Sequence, residues 1–306
     1  MSKYILKSVA QFIPLMFIIS TIVFVLVYVS GDPIALMLPD DATAEDREEL
    51  AKALGLDKPM YMQYLQFLGN VVQGDFGRSY YYSEPALSIV LERLPASLEL
   101  ALGSILITVL LAFPLGVLSA LKRNSPVDLL ITGLSVVGKA APNFWVGIML
   151  ILLFAVELKW LPVSGRGGIA FALLPAITLG TSLMAKLTRL IRSNLLEVLS
   201  QDYIRTARSK GLSERVVIWK HALRNALLPT ITVLALDFAG LLGGVLITET
   251  IFAWPGMGQL VIHAVNKKDM AIVQAAVFVI SVIVIVCNMI ADILYRFVDP
   301  RIKFED

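Results

Sequence analysis

The chain has 306 residues, 57% of them hydrophobic and 16% charged, and its mean hydropathy is +0.77. Soluble domains carry roughly a quarter charged residues, so this balance excludes an ordinary water-solvated globule and points to a chain solvated largely by lipid. A net charge of +2 by itself says nothing about a polyanionic partner, and one cysteine, Cys287 within an apolar run, excludes a disulfide framework and a cysteine-based metal site.

A helix needs roughly 20 apolar residues to cross about 30 Å of hydrocarbon. The first such run, Ser8 to Gly31, is uncharged. It is too long for a signal peptide and lacks a small-x-small cleavage site, so residues 1–31 are expected to be a retained anchor. The second expected span is Leu100–Leu121, followed by Lys122-Arg123. The third, Leu129–Val156, is interrupted by Lys139 and Pro142. The fourth, Gly167–Ala185, holds Pro175; the fifth, Asn225–Thr248, holds Asp237; the sixth lies between Asp269 and Asp292. About six spans put both termini on one side. Lys3, Lys7, Lys122, Arg123, Arg296, Arg301 and Lys303 share that side with a long basic loop from Lys186 to Arg224. By the positive-inside rule it is the cytoplasmic one.

Residues 32–97 form the largest external piece, expected to cap the spans or to dock an external partner. Its acidic start alternates with Leu50, Ala53 and Leu54 at helical spacing, and an amphipathic stretch runs from Tyr61 to Val72 after a Gly55–Pro59 turn. Tyr80, Tyr81 and Tyr82 suit the headgroup level. A second external turn holds Trp160-Leu161-Pro162. The third, Glu249 to Gln274, contains Trp254, Pro255 and Gly256 in a run too broken to span, and is expected to re-enter the bundle as an external gate.

The cytoplasmic loop has no proline and one glycine between Ser200 and Arg224, so it reads as two short helices. Ser200 is placed to cap the first, Gly211 to end it in a left-handed conformation, and Ser213 to cap the second. Ile204 and Ala207 share one face; Val216, Trp219 and Leu223 share another. Such a pair meets either anionic lipid or a docking protein. Within the spans, Asp237 and Lys139 are candidates for pathway lining or for pairing with each other, while Asp292 is expected to pair with Arg296. Gly240 and Gly244 lie in a run of small residues that suits close helix packing. No GxxxxGK[ST] loop and no HExxH occur, and His221 and His263 fall on opposite sides, so neither ATP nor a metal is expected on this chain. The loop's place between two spans argues against nucleic acid.

The segment Asp202-Tyr203-Ile204-Arg205-Thr206-Ala207-Arg208-Ser209-Lys210-Gly211, followed by His221-Ala222-Leu223-Arg224, resembles the coupling loop of permease subunits in binding-protein-dependent ABC importers. Arg205-Thr206-Ala207 stands where the general pattern has Glu-Ala-Ala, and Gly211 keeps the spacing. Those departures resemble the dipeptide/oligopeptide/nickel branch. So do Gly74-Asp75-Phe76-Gly77-Arg78-Ser79, Trp160-Leu161-Pro162, Phe252-Ala253-Trp254-Pro255-Gly256 and Asp299-Pro300-Arg301, which carry the resemblance along the whole chain.

The resemblance implies an all-α integral membrane protein with the type I ABC importer permease (MetI-like) fold, whose core domain is 98–306 with its coupling loop at 193–225. It implies a second homologous permease, two ATPase subunits that use ATP and Mg, and an external substrate-binding protein, in a bacterial or archaeal cytoplasmic membrane. Asp202, Tyr203, Arg205, Thr206, Ala207, Arg208, Gly211, Leu212 and Ser213 would couple to the ATPase, with Arg205 and Arg208 free to meet its acids. Short peptides are the implied cargo, with nickel or metal chelates and glutathione as alternatives. An ion-gradient-driven carrier using Asp237 and Lys139 is the rival from another class.

Overall fold

The computed structural model describes residues 13–25, 43–54 and 57–298. Among them the regular elements are all helices, with one isolated antiparallel bridge between Arg78 and Pro85. In chain order they are α1 (Ile13–Val25), α2 (Ala44–Leu54), α3 (Met60–Val72), α4 (Ala86–Leu121), α5 (Pro126–Ala140) and α6 (Asn143–Glu157, π-helical from Ile151). Then come α7 (Ile169–Leu199), α8 (Asp202–Ser209), α9 (214–226), α10 (Leu228–Ile251), α11 (Met257–Asn266) and α12 (Met270–Val298).

Among the described residues three helices are long and apolar enough to cross a membrane: α4, α7 and α12 over Met270–Ala291. The expected third span is not one rod. Ala141 and Pro142 sit at ψ 131° and 136°. Proline removes an N–H and bars its predecessor from helical geometry, so α5 and α6 bend by 112° at this break. Counting the pair as one span makes four. The shorter apolar helices Ile13–Val25 and Leu228–Phe238 fall on the expected first and fifth spans.

The fourth span also runs on past its expected end. The α7 helix has 31 residues, about 46 Å at 1.5 Å per residue, and carries Lys186, Arg189 and Arg192 as helical residues. The basic loop therefore begins at Ser200 and not at Lys186.

The chain divides into two compact units, one of Met1–Ala96 with Pro255–Ile285, the other of Ser97–Trp254 with Val286–Asp306. The helices α4 and α12 each contribute to both. In the first unit Phe76, Ile89, Val90, Leu260 and Ile272 form a buried cluster. Gly74 and Gly77, at φ +75° and +81°, take the left-handed geometry that glycine adopts without strain, and this turns Phe76 inward. Asp269 is buried beneath them. It accepts a hydrogen bond from Ser79 Oγ and another from the Ile272 N–H at the start of α12.

In the second unit, α4 and α7 meet at glycines. A Cβ on Gly116 would lie 2.8 Å from Ile191 Cβ and 2.8 Å from the Thr188 carbonyl oxygen; one on Gly180 would lie 2.5 Å from Thr108 Oγ1. Missing side chains let the two backbones approach, as small residues do in membrane bundles generally. The same ends are pinned by Asp128, which is 4% exposed. Its carboxylate accepts Arg192 Nε and Nη2 at 2.7 and 2.8 Å, Ser119 Oγ at 2.5 Å and the Asn124 N–H at 2.9 Å. One side chain thus joins α4, the turn, α5 and α7.

Two stability differences follow. Gly116→Ala should destabilise the protein by about 1–3 kcal/mol through overpacking. Gly133→Ala, where a Cβ meets nothing within 4 Å, should be neutral or slightly stabilising through helix propensity. Asp128→Asn, which leaves Arg192 without its counter-charge, should cost about 2–4 kcal/mol. Thermal unfolding of the detergent-purified protein compares all three, and equal melting of the two glycine variants would contradict the close-packing account.

Candidate functional site

The segment after α7 is folded and fastened. Gln201, not Ser200, takes the N-cap position of α8, because the Ser200 hydroxyl is spent on the Glu197 carbonyl one turn back in α7. Gly211 ends α8 at φ +77°, its N–H on the Arg208 carbonyl at 2.9 Å. Ser213 occupies the N-cap position of α9 in extended geometry, without a side-chain bond.

Ile204 and Ala207 face inward at 0% and 7% exposure. The buried set of α9 differs from the one read at helical spacing. Residues 217–222 form a π-helical stretch, whose i→i+5 bonds place Val217 above Ala222. Val217, Ala222, Leu223 and Ala226 are buried, while Val216 and Trp219 are exposed.

These buried residues join Val117 and Ala120 of α4 and Ile191 and Leu195 of α7 in one cluster. Burying an Ile or Leu side chain contributes about 1.5–3 kcal/mol, so the helix pair is held hard against two span ends. Asn225 Nδ2 donates to the Tyr203 hydroxyl at 3.0 Å, and Arg208 Nε donates to Glu214 Oε1 at 2.7 Å. The Glu214 bond holds the Arg208 pKa above the ordinary arginine value. Arg205 lies 3.4 Å from Asp202, with both side chains largely exposed. Tyr203, Leu212 and Val216 are exposed among these charges, while the exposed Trp219 ring lies 6.1 Å from that of Phe113 on α4.

A second polar group gathers where α5 breaks into α6. Lys139, Asn143, Ser182, Lys186, Asp237 and Gly240 line a cavity of about 210 Å³. Lys139 and Asp237 come to the same cavity but do not pair. Lys186 Nζ reaches both Asp237 oxygens, at 2.7 and 3.1 Å, while Lys139 Nζ donates to Ser182 Oγ at 3.0 Å. Lys186 is a helical residue and not the loop cation that charge counting makes it, and Ser182 and Asn143 join it although neither carries a charge or a motif. The signal was there: Ser182 and Lys186 are four apart, on one face of a helix. A Cβ on Gly240 meets nothing within 4 Å, so no described helix of this chain packs there. The surroundings of Gly244, Asp292 and Arg296 fall outside the described side chains. Close approach occurs instead at Gly116 and Gly180.

Of the expected gate, Trp254 is fully buried within the second unit, with the Arg166 guanidinium 5.9 Å from its ring centroid. Arg166 also pairs with Glu99. Ala253 at φ +46° makes the sharp turn after α10. Pro255 follows it, and Gly256 is the N-cap residue of α11. The first unit has its own cavity of about 270 Å³, lined by Tyr81, Tyr82, Arg93, His263, Lys267 and Asp269. Beside it the Tyr80 hydroxyl donates to the Lys267 carbonyl. Burial, then the Asp269 charge, pushes the Tyr80 pKa up.

Residues 112–304 match the family described as "Binding-protein-dependent transport system inner membrane component", and residues 1–101 match its N-terminal companion family. The oligopeptide transport system permease protein AppB of Bacillus subtilis (strain 168) is 42% identical over 99% of this chain and 100% of its own length. The glutathione transport system permease protein GsiC of Escherichia coli (strain K12) is 38% identical over the full length of both.

Among solved structures, the MetNI methionine ABC transporter in an inward-facing conformation aligns with a TM-score of 0.58 at 16% identity, over 69% of this chain and 96% of that one. An amino acid ABC transporter with histidines aligns at 0.53 over 69% and 94%. At that identity the likeness speaks for the fold alone, which is that of a type I importer permease. Importers of this kind work with separate ATPase subunits and a substrate-binding protein, which sets aside the ion-gradient carrier. The chain belongs to the inner membrane components of binding-protein-dependent transport systems, as a multi-pass ABC importer permease in the branch that includes the oligopeptide and glutathione permeases.

Proposed function

We propose that this chain pairs with a second, homologous permease to form the pathway by which short peptides enter the cell, driven by two ATPases docked beneath residues 193–225. The observation that carries the coupling reading is the mounting of α8 and α9. A helix pair buried on the ends of α4 and α7 and tied internally by Arg208–Glu214 transmits displacement without deforming. Its exposed residues Tyr203, Leu212 and Val216 offer aromatic and apolar contacts for a groove. Asp202, Arg205, Thr206 and Ser213 surround them. Arg208 holds Glu214, so it acts first on the segment's own shape.

The names of the relatives support peptide cargo, and glutathione is compatible with the same mechanism. Nickel draws no comparable support. In this reading both termini are cytoplasmic, residues 1–31 anchor the chain, 32–97 cap its outer side, and Trp254 to Gly256 form part of an external gate. The cavity at the α5–α6 break lines the pathway. On the isolated chain the Lys186 and Asp237 side chains are 44% and 32% exposed and Lys139 is exposed, and ionisable groups in membrane-spanning segments face water-filled cavities or protein rather than lipid.

Two measurements test this. A Cβ at Gly211 meets open space but at φ +77° strains the local backbone, so Gly211→Asp should distort the end of α8 and leave the complex assembled while lowering transport-stimulated ATP hydrolysis about tenfold. Unchanged stimulation would sink the coupling assignment. A cysteine at Asn143 should react with a membrane-impermeant methanethiosulfonate in the assembled importer, read by mass spectrometry on this chain. A cysteine inert in every nucleotide state would contradict pathway lining.

A further inference from the structure

We infer that Lys139 is the group on this chain that meets the terminal carboxylate of a peptide in transit. The inference rests on the pathway reading of the cavity at the α5–α6 break and adds a chemical specificity to it.

The cavity holds two ammonium groups and one carboxylate. Asp237 is already matched, both of its oxygens lying within 3.1 Å of Lys186 Nζ. Lys139 has a neutral partner, Ser182 Oγ at 3.0 Å, and among the described residues no carboxylate reaches it. A cation on a membrane-length helix is costly unless an opposite charge or water compensates it. The cavity therefore carries one positive charge in excess. It selects for an anion and disfavours a bare divalent metal, which needs anionic or carbonyl oxygens around it.

Size narrows the ligand further. A volume of about 210 Å³ equals roughly seven waters at about 30 Å³ each. That is room enough for the terminal residue of a peptide. Beside the ammonium stands Ser182, a neutral group that can complete a carboxylate's hydrogen bonds. The break itself opens this room, because Pro142 turns the chain away just beyond Lys139. Arginine would keep the charge; glutamine would keep only the length.

The test uses the whole importer in lipid nanodiscs without its binding protein, bearing Asn143→Cys and labelled with the impermeant thiosulfonate. Trialanine at millimolar concentration should slow labelling roughly tenfold, and trialanine amide, which lacks the carboxylate, should not. The protection should vanish with Lys139→Gln and persist with Lys139→Arg, each compared with its own unliganded rate. The acid-against-amide comparison needs no Lys139 variant, so a folding defect in one leaves it standing. Equal protection by acid and amide overturns the inference, as does protection that survives Lys139→Gln. An absence of protection by either peptide also overturns it, and would leave Lys139 to a carboxylate of the second permease. In those three cases the cysteine still reacts and the pathway reading survives. A cysteine that never reacts removes both.

Discussion

Asp128 accepts hydrogen bonds from α4, from the turn after it and, through a bidentate guanidinium, from α7. A carboxylate can accept about four such bonds, and here that capacity is nearly filled. Burying the pair costs several kcal/mol of desolvation, which such geometry offsets only when the remaining lone pairs are also satisfied. The result is specificity of arrangement more than raw stability. The ends of α4 and α7 cannot slide past each other without breaking a bond to one small group. The glycine contacts at Gly116 and Gly180 act in the same sense, since backbones that touch directly have no side-chain layer to yield. Everything that packs on these ends, including α8 and α9, inherits that constraint.

The polar cavity depends on a different device. An uninterrupted helix satisfies its own backbone, which is why lipid favours it. The break at Ala141–Pro142 leaves carbonyl and N–H groups without helical partners, and such backbone persists at membrane depth only beside protein or water. Lys139, Ser182 and Lys186 stand around it, so the break and the charges make one feature. Neither would be tolerated alone against hydrocarbon.

Much of this was legible in the sequence, but unevenly. Gly211 was readable because only one residue type in the loop adopts positive φ without strain, and its position ended a helical pattern. The helices over Met60–Val72 and Asp202–Ser209 followed from apolar spacing. The length of α7 did not, because Lys186, Arg189 and Arg192 look like the start of a loop when charge alone is counted. The pairing of Lys186 with Asp237 and of Arg192 with Asp128 is a tertiary fact that lets a charged helix continue. Helical spacing gives the wrong face of α9 for a local reason: spacing rules assume 3.6 residues per turn, and the π-helical stretch at 217–222 breaks that assumption. Ser125-Pro126-Val127-Asp128 does carry a capping-box spacing, and Ser125 accepts the Asp128 N–H at 3.3 Å. Nothing in that local signal told that the same carboxylate would bind Arg192, 64 residues away.

The helix α7 carries both features at once. Ser182 and Lys186 lie near its middle, and Arg192 and Leu195 near its end, where α8 and α9 are mounted. From Ser182 to Leu195 is 13 residues, about 20 Å of continuous helix. A helix of that length bends little, so a displacement imposed on α8 reaches Lys186 as a tilt or a shift and not as local unwinding. The pair Lys186–Asp237 bridges α7 to α10, and Lys139–Ser182 bridges it to α5. In the coupling reading, tilting α7 must stretch one of these two contacts, because their partners sit on different helices. The Lys139 contact, to a neutral hydroxyl, is the weaker of the two. It is therefore the one that opens first, and opening it frees the cation at the break for an incoming anion.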